Sequence, residues 1–492
     1  MVSPVGASPT QRDAPPAGAR PARWLLPVLL LGFAAVLFVR LGDAPVHRTA
    51  EVRVDRVSRH MLESGDWLVP RLGEKVRLQK PPLYYWMATA VERAAGEAAN
   101  VWLRTPAALS ALGLLLVAWG WGRWAGGARQ GLVAALLLVG LVGVAEFGRL
   151  GVAETLLAAS SSAALLAYEH ARATGSRRAL WACLIALAAA VLAKATPVLL
   201  TVALPIVLDL ALQRRLKAAL NRRTLGLAAL TLMPALLWYV AVIATVPGAW
   251  DSIVSFALLP FGVRLPEAAG NASHVRPAWY HLEALVTMGL PLLALLPLMI
   301  ARAWRTRGWR DAPRLRFAAL AVAAPLLGFS LIPEKQDHYL LPIMPAWAVL
   351  LADALLDACA RAAAGARGLR VASLVTAALL LVVAGAFALA LRWGFDVSWP
   401  AALLLVLAVG LAAALVLAGG WRGRALPWAA GVAAATLLLM LVWFSTFDVV
   451  KQRLEAGVAT EAELAHWHAV RDAHPVFGRS LPEPDPPDDA DH

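Results

Sequence analysis

A polar stretch spans Glu51–Trp86 and reads EVRVDRVSRHMLESGDWLVPRLGEKVRLQKPPLYYW. It follows the first apolar segment directly, in a chain whose residues are 60% hydrophobic. Loops that only connect membrane helices need no such length. We therefore expect this stretch to build a site at a membrane surface, to which later helices bring a few charged side chains.

The composition is that of an integral membrane protein. Only 16% of the residues are charged and the mean hydropathy is +0.64, whereas soluble domains carry about 25% charged residues. Apolar runs of about 18–22 residues recur, which is the length that crosses a hydrocarbon core of about 30 Å. The fold class we expect is all-α and polytopic, with many membrane-spanning helices.

The net charge of +13 does not indicate a nucleic-acid partner. The arginines cluster in short loops between apolar segments, and the positive-inside rule explains that placement more simply. Both cysteines, Cys183 and Cys359, lie in apolar surroundings, so no disulfide framework is expected. Residues 1–22 have the composition of a disordered tail.

About thirteen segments are apolar and long enough to be membrane crossings. They are approximately 24–41, 103–122, 128–146, 151–170, 179–193, 196–212, 224–246, 281–302, 315–332, 338–357, 369–391, 399–419 and 426–446. We interpret Pro81–Gly96 as an interfacial or re-entrant helix, because only then does the basic loop 214–223 return to the inside. The N-terminus is then inside and the C-terminus outside.

This topology gathers ionisable residues on the outer side, where the polar stretch also lies. They are Glu146, Arg149, Glu154, Lys194, Lys335, Asp337 and His338, together with Arg264, Glu267, His274 and Arg276 of loop 247–280. Ionisable groups near a membrane interior are costly and usually functional. Carboxylates can activate a hydroxyl nucleophile, and Lys and Arg can hold a departing phosphate. Because no nucleotide sugar is present outside the cell, an activated donor would have to arrive through the lipid.

Several motifs resemble the bacterial lipid-A aminoarabinose transferase group, part of the GT-C superfamily that includes protein O-mannosyltransferases. The polar stretch carries Glu51, Arg53, Ser64-Gly65-Asp66-Trp67-Leu68-Val69-Pro70 and Lys80-Pro81-Pro82-Leu83-Tyr84-Tyr85-Trp86. Later matches are Arg104-Thr105-Pro106, Gly148-Arg149 with Glu154, Leu192 to Pro197, His274 to Tyr280, and Phe329 to Pro345. The resemblance covers about residues 24–357, and its motifs are specific in combination and weak singly.

The resemblance implies a GT-C glycosyltransferase that moves a sugar from a polyprenyl phosphate to a lipid A-type, glycan or other acceptor, with inversion. It implies a multi-pass protein of the bacterial inner membrane with its site at the outer face. The implied domains are a tail (1–22), a catalytic membrane core (23–357), C-terminal membrane helices (358–446) and a polar outer tail (447–492) that ends in disorder. No cofactor is implied with certainty, and metal dependence stays open.

The resemblance also implies residue roles. Glu51 is the candidate general base or acceptor-orienting acid, since the family has Asp-Glu where this chain has Ala50-Glu51. Glu154 is the second acid, and Arg53 fixes the first acid or the donor phosphate. Lys80, Lys194 and Arg264 would bind the polyprenyl phosphate. The remaining candidates for substrate binding are Tyr84, Tyr85, Arg149, Lys335 and His338.

Other interpretations of the same residues stay open. Glu51 and Arg53 also fit a surface ion pair, Lys80 a snorkelling lysine, and Tyr84–Trp86 an aromatic belt. Glu154 also fits a solvated acid at a helix N-terminus. At the level of function the alternatives are a protein O-mannosyltransferase, a lipid or solute transporter, and an inactive relative that only binds.

Overall fold

The computed structural model describes residues 24–95, 100–263, 274–362 and 367–458, together with positions 265, 460, 465, 466 and 469. The predicted tail at 1–22 lies outside the described residues. So do most of the residues beyond Val458, which belong to the predicted polar tail.

The apolar segments of the amino-terminal half form helices close to the predicted bounds. The elements are α1 (Leu25–Phe38), α2 (Thr49–Ser64), β1 (Arg71–Leu72), β2 (Lys75–Val76), α3 (Leu83–Ala95), α4 (Val101–Gly126), α5 (Ala128–Val139), α6 (Val142–Gly148), α7 (Glu154–Thr174), α8 (Arg177–Ala193), α9 (Ala195–Val198), a π-helical turn (Leu199–Ala203), α10 (Leu204–Leu212), α11 (Leu216–Ala219) and α12 (Arg222–Thr245).

The carboxy-terminal half is also helical throughout its described part. Its elements are α13 (Ala249–Leu258) with a 3-10 turn (Leu259–Phe261), α14 (Tyr280–Gly289), a 3-10 turn (Leu292–Leu295), α15 (Leu296–Arg305), α16 (Pro313–Leu331), a 3-10 helix (Asp337–Ile343), α17 (Met344–Ala360), α18 (Arg367–Gly394), α19 (Trp399–Trp421), α20 (Ala425–Val442), a π-helical turn (Trp443–Phe447) and α21 (Asp448–Glu455).

The all-α, multi-pass architecture is confirmed, whereas the number of thirteen crossings stays a prediction. Within the described residues, eight helices are long and apolar enough to cross a membrane, or up to ten if each of two bent pairs counts as one span. The other three predicted segments are the helices α1, α7 and α8. Of these, α1 has 14 residues and α8 has 17, fewer than the about 20 of a typical crossing.

Two predicted spans are not straight helices. The segment predicted at 128–146 is bent by 65° between α5 and α6, and the one at 281–302 is bent by 107° between α14 and α15. The larger bend falls at Leu290-Pro291, where proline offers no backbone N–H to continue the helix. The segment predicted at 281–302 therefore consists of two helices joined by a bend, and its crossing stays a prediction.

Burial shows which helices form the centre of the bundle. The span Asp337–Ala360, which includes α17, is 89% buried, whereas the span of α12 is only 22% buried. In a membrane protein a sparsely buried apolar helix faces lipid. We conclude that α17 lies at the centre and α12 at the periphery.

The polar stretch folds into a compact unit on the bundle. Its helix α2 packs on α3, and α3 at about 1.5 Å per residue is roughly 20 Å long, too short to cross a membrane. A two-residue hairpin follows α2, with Arg71 paired to Val76 and Leu72 to Lys75. A hydrogen bond attaches the polar stretch to the bundle, because the indole N–H of Trp238 in α12 donates to the Leu68 carbonyl at 2.9 Å.

Candidate functional site

A cavity of about 500 Å³ opens between the polar stretch and the bundle. Its lining comes from distant parts of the chain: Arg48 to Val54, Arg77 to Tyr85, the α6–α7 turn, Lys194, the 3-10 turn after α13, His274 and the segment Glu334 to Tyr339. These are the segments that the sequence predicts on one side of the membrane. The structure therefore brings them to a single cavity.

Glu154 is the point on which two lysines and a histidine of the cavity converge. Its Oε1 lies 3.0 Å from Lys80 Nζ, 3.3 Å from Lys194 Nζ and 3.7 Å from His338 Nε2. Glu154 itself is 6% exposed. Four of the residues singled out in the sequence thus form one cluster, and the interpretation of Glu154 as a solvated helix-end acid is wrong.

Local structure explains why these side chains reach Glu154. Glu154 is the first residue of α7, where unpaired N–H groups and the helix dipole favour a carboxylate. Lys194 adopts an extended conformation (φ −166°, ψ 101°) between α8 and α9, so its side chain leaves the helix axis. Its Nζ also lies 5.3 Å from the centre of the Tyr339 ring, a cation–π contact.

Glu51 is fully buried, and both of its carboxylate oxygens have donors. Oε1 accepts from Arg104 Nε at 2.9 Å and from the Gly151 amide at 2.6 Å, and Oε2 accepts from Arg104 Nη2 at 3.0 Å. Arg104 also donates to the carbonyls of Leu41 and Ala44. Glu51 therefore fastens α2 to the start of α4 and to the turn before Glu154. The proposed surface ion pair with Arg53 is wrong, because the partner is Arg104.

Arg104 is a residue that the sequence placed in a motif without a role. The sequence did contain a sign of its importance. An arginine at the start of an otherwise apolar helix costs free energy unless its charge has partners. Which carboxylate it meets could not be read from the sequence, because Glu51 lies 53 residues away.

The third cluster in the cavity is basic. Arg53 and Arg77 both line it, and no carboxylate forms an ion pair with either among the described residues. Burial, and after it the nearby charge of Arg77, lowers the pKa of Arg53. The Arg77 guanidinium donates to the Gln79 side chain. Two close guanidinium groups without a counter-ion are suited to an anion such as phosphate. Arg77 and Gln79 were missed in the sequence.

Several predicted site residues lie away from the cavity. Tyr84 is buried and donates its hydroxyl to the Leu103 carbonyl at 2.9 Å. Arg149 Nη1 donates to the carbonyls of Val36, Leu37 and Val39 and so caps the end of α1. The structure therefore gives these two side chains packing contacts instead of access to a substrate, whereas Tyr85 does line the cavity.

Lys335 is likewise engaged elsewhere. Its ammonium group donates to the carbonyls of Arg276, at 2.9 Å, and Ile332. Burial lowers the pKa of this lysine. These hydrogen bonds connect the segment at Arg276 to the end of α16, so Lys335 has a structural role and does not act as a substrate ligand. Arg264, the last of the predicted ligands, lies outside the described residues.

Gly151 lies between Leu150 and Val152, which line the cavity, and it packs so closely against Leu103 that no side chain fits. A Cβ there would lie 2.5 Å from Leu103 Cγ. We expect Gly151→Ala to lower the free energy of unfolding by about 1–3 kcal/mol through overpacking, and to reduce activity by displacing Glu154. Thermal unfolding in detergent measures the first effect. The matched control is Gly226→Ala, where a Cβ meets nothing within 4 Å, and equal melting temperatures for both variants would contradict the prediction.

Comparisons with known proteins agree with this geometry. The family model described as dolichyl-phosphate-mannose-protein mannosyltransferase matches residues 79–238. The undecaprenyl phosphate-alpha-4-amino-4-deoxy-L-arabinose arabinosyl transferase of Pseudomonas aeruginosa is 32% identical over 437 residues, covering 84% of this chain and 74% of that protein.

Two further relatives carry the same description. Arabinosyl transferase 1 of Sodalis glossinidius is 32% identical, covering 66% of this chain and 58% of that protein. Arabinosyl transferase 2 of Pseudomonas fluorescens is 30% identical, covering 68% and 60%. This chain thus spans about three fifths of the length of these two relatives.

Solved structures share the fold. ArnT from Cupriavidus metallidurans bound to undecaprenyl phosphate matches with a TM-score of 0.66 at 21% identity, covering 89% of this chain and 82% of that chain. The apo form of the same protein matches with a TM-score of 0.65 at 20% identity, covering 86% and 78%. The expectation of a GT-C membrane fold is confirmed.

Proposed function

Because this chain belongs to the family of the undecaprenyl phosphate-aminoarabinose arabinosyl transferases, we propose that it transfers a sugar from a polyprenyl phosphate to an acceptor. The observation that carries the proposal is the convergence of Lys80, Lys194 and His338 on Glu154 inside a cavity of about 500 Å³. Two ammonium groups held by one carboxylate keep a net positive charge. Such a site can bind a phosphate and stabilise it as it leaves.

Each residue of the cluster has a role in this proposal. Lys80 and Lys194 hold the phosphate of the carrier, and Glu154 fixes both ammonium groups in place. Arg53 and Arg77 supply further positive charge in the same cavity, and Tyr85 lines the space for the sugar. Displacement at the anomeric carbon by the acceptor then inverts its configuration. Every residue named here lies within 23–357, the proposed catalytic core.

The acceptor and the membrane orientation are part of the proposal. The relatives act on a carrier-linked aminoarabinose by their names, and a lipid A-type or other envelope lipid or glycan is the acceptor class we favour. The basic loops at 214–223 and 302–316 support a cytoplasmic N-terminus and a cavity at the outer face of a bacterial inner membrane.

The test is sugar transfer in lipid vesicles by the purified protein. Polyprenyl phosphates that carry different sugars serve as donors, and total membrane lipid serves as acceptor. We expect Lys194→Ala to lower kcat/KM by about 10²-fold or more, because the leaving phosphate loses a charged ligand. Lys75→Ala, an exposed lysine of the hairpin, is the matched control and should stay within about twofold.

Two outcomes would contradict the proposal. One is a wild-type protein that binds the carrier but consumes no donor across the sugar panel, which would favour a transporter or an inactive binding protein. The other is full transfer by Lys194→Ala, which would place the phosphate elsewhere in the cavity.

A further inference from the structure

Each carboxylate that lines the cavity, among the described residues, already has a charged or hydrogen-bonding partner within the protein. Glu51 accepts three hydrogen bonds from Arg104 and Gly151. Glu154 Oε2 accepts no hydrogen bond from the described residues, but Oε1 faces the ammonium groups of Lys80 and Lys194, which weaken this carboxylate as a base. Position 50, which faces the cavity directly beside Glu51, is an alanine. A hydroxyl acceptor would therefore find no unengaged carboxylate to take its proton.

Glu334, the third carboxylate of the cavity lining, is hydrogen-bonded to the backbone of His274. Its Oε2 accepts a hydrogen bond of 2.6 Å from the backbone amide of His274. The carbonyl of His274 accepts from the Lys335 amide at 2.9 Å, and an isolated β-bridge pairs Val275 with Glu334. The backbone of His274 is thus held on both sides by the segment that follows α16.

The backbone of His274 is held by hydrogen bonds, whereas its ring forms none with the other described residues. The residue is exposed and lines the cavity. Within the described part of the chain, its ring forms no hydrogen bond or ion pair. A neutral imidazole is the proton acceptor best suited to neutral pH. Of the two histidines that line the cavity, His338 lies beside Glu154 and the two lysines, which leaves His274 as the unengaged base.

The charged residues on the segments that hold His274 have partners of their own. The ammonium of Lys335 is turned to the carbonyl of Arg276 at 2.9 Å, and Glu334 is bound to the His274 amide. The guanidinium of Arg276 lies 5.8 Å from the centre of the Tyr280 ring. His338 is close enough for the charges of the two rings to interact. Among the residues that the structure describes, no carboxylate forms an ion pair with the imidazole of His274.

We propose that His274 is the general base that removes the proton from an acceptor hydroxyl, an inference that rests on the proposed sugar transfer. The acceptor oxygen forms a bond to the anomeric carbon while the bond from that carbon to the phosphate oxygen breaks. The electron pair of the broken bond stays on the phosphate, held by Lys80 and Lys194. The hydroxyl proton passes to a ring nitrogen of His274, which later releases it to water.

The experiment compares wild type with His274→Gln and His274→Ala in vesicles loaded with a polyprenyl phosphate sugar and an acceptor lipid. We expect kcat to fall by about 10²–10⁴-fold in both variants, while KM for the donor changes by less than about threefold. We also expect the wild-type rate to fall at acidic pH and the rates of both variants to lack this fall, and added imidazole should restore part of the His274→Ala rate. His60→Gln, whose side chain lies outside the cavity lining, is the matched control.

Binding of the unmodified polyprenyl phosphate shows that each variant is folded. Wild type that transfers sugar, together with His274 variants that keep its rate and its pH profile, would overturn the role of His274 and leave the transferase standing. That result would favour an acceptor whose attacking oxygen is already ionised. Wild type that never transfers sugar would overturn both proposals.

Discussion

Glu154→Gln is expected to lower sugar transfer by about 10²–10³-fold, the range measured when a charge-stabilising group is removed from an active site. The amide keeps the size of the side chain but removes the negative charge that faces Lys80, Lys194 and His338. The two ammonium groups then repel each other and leave the positions in which they hold a phosphate. Initial rates with a saturating donor, and binding of the bare carrier, measure the two effects.

A control distinguishes the charge cluster from a general effect of a helix-end acid. Glu283 also lies in the first turn of its helix, α14, but it is exposed. Glu283→Gln should therefore keep the wild-type rate within about twofold. A Glu154→Gln protein that binds the carrier and transfers sugar at the wild-type rate would show that the cluster is only structural.

The second large effect is expected on stability. Glu51→Gln leaves the buried Arg104 without its counter-charge, and removal of one partner of a buried ion pair costs about 3–5 kcal/mol. Arg104→Met removes the other partner and should cost a similar amount. Because both single changes break the same interaction, we expect the double variant to lose less than their sum, with a coupling energy of about 1–3 kcal/mol.

Denaturant or thermal unfolding in detergent measures this cycle. The comparison is Arg392→Gln, which breaks an exposed pair with Asp396 on the surface and should cost less than about 1 kcal/mol. Additive losses in the Glu51/Arg104 cycle would mean that the two residues act independently. In that case the role of Glu51 as a catalytic acid, which the family resemblance implies, would be favoured over its role in fastening α2.

Most of the fold follows from the sequence because membrane helices obey local rules. A run of apolar residues that enters lipid must satisfy its own backbone hydrogen bonds, and a helix does so within the segment. The predicted segments at 103–122, 315–332 and 369–391 are therefore helices with similar bounds, α4, α16 and α18. The hairpin at 71–76 was missed because two-residue strands have no periodicity to detect.

The site could be predicted only in part, for a related reason. Lys80, Glu154, Lys194 and His338 stood out because charges beside apolar helices are costly, and the structure brings them together. The same signal also selected Arg149 and Lys335, which satisfy backbone carbonyls away from the cavity. The free-energy cost of a charge near the membrane interior shows that the charge needs a partner. It does not show whether that partner is a substrate or another group of the protein.

The amino-acid sequence alone is enough to indicate a multi-pass helical membrane protein with a long polar stretch at Glu51–Trp86. These properties depend on composition and on segment length, which are local quantities. Three features are visible only in the folded structure. Arg104 forms the ion pair with Glu51, and two lysines contact Glu154. The His274 ring lines the cavity without a hydrogen bond or an ion pair among the described residues. Those pairings join residues far apart in the chain, and the packing of helices fixes them.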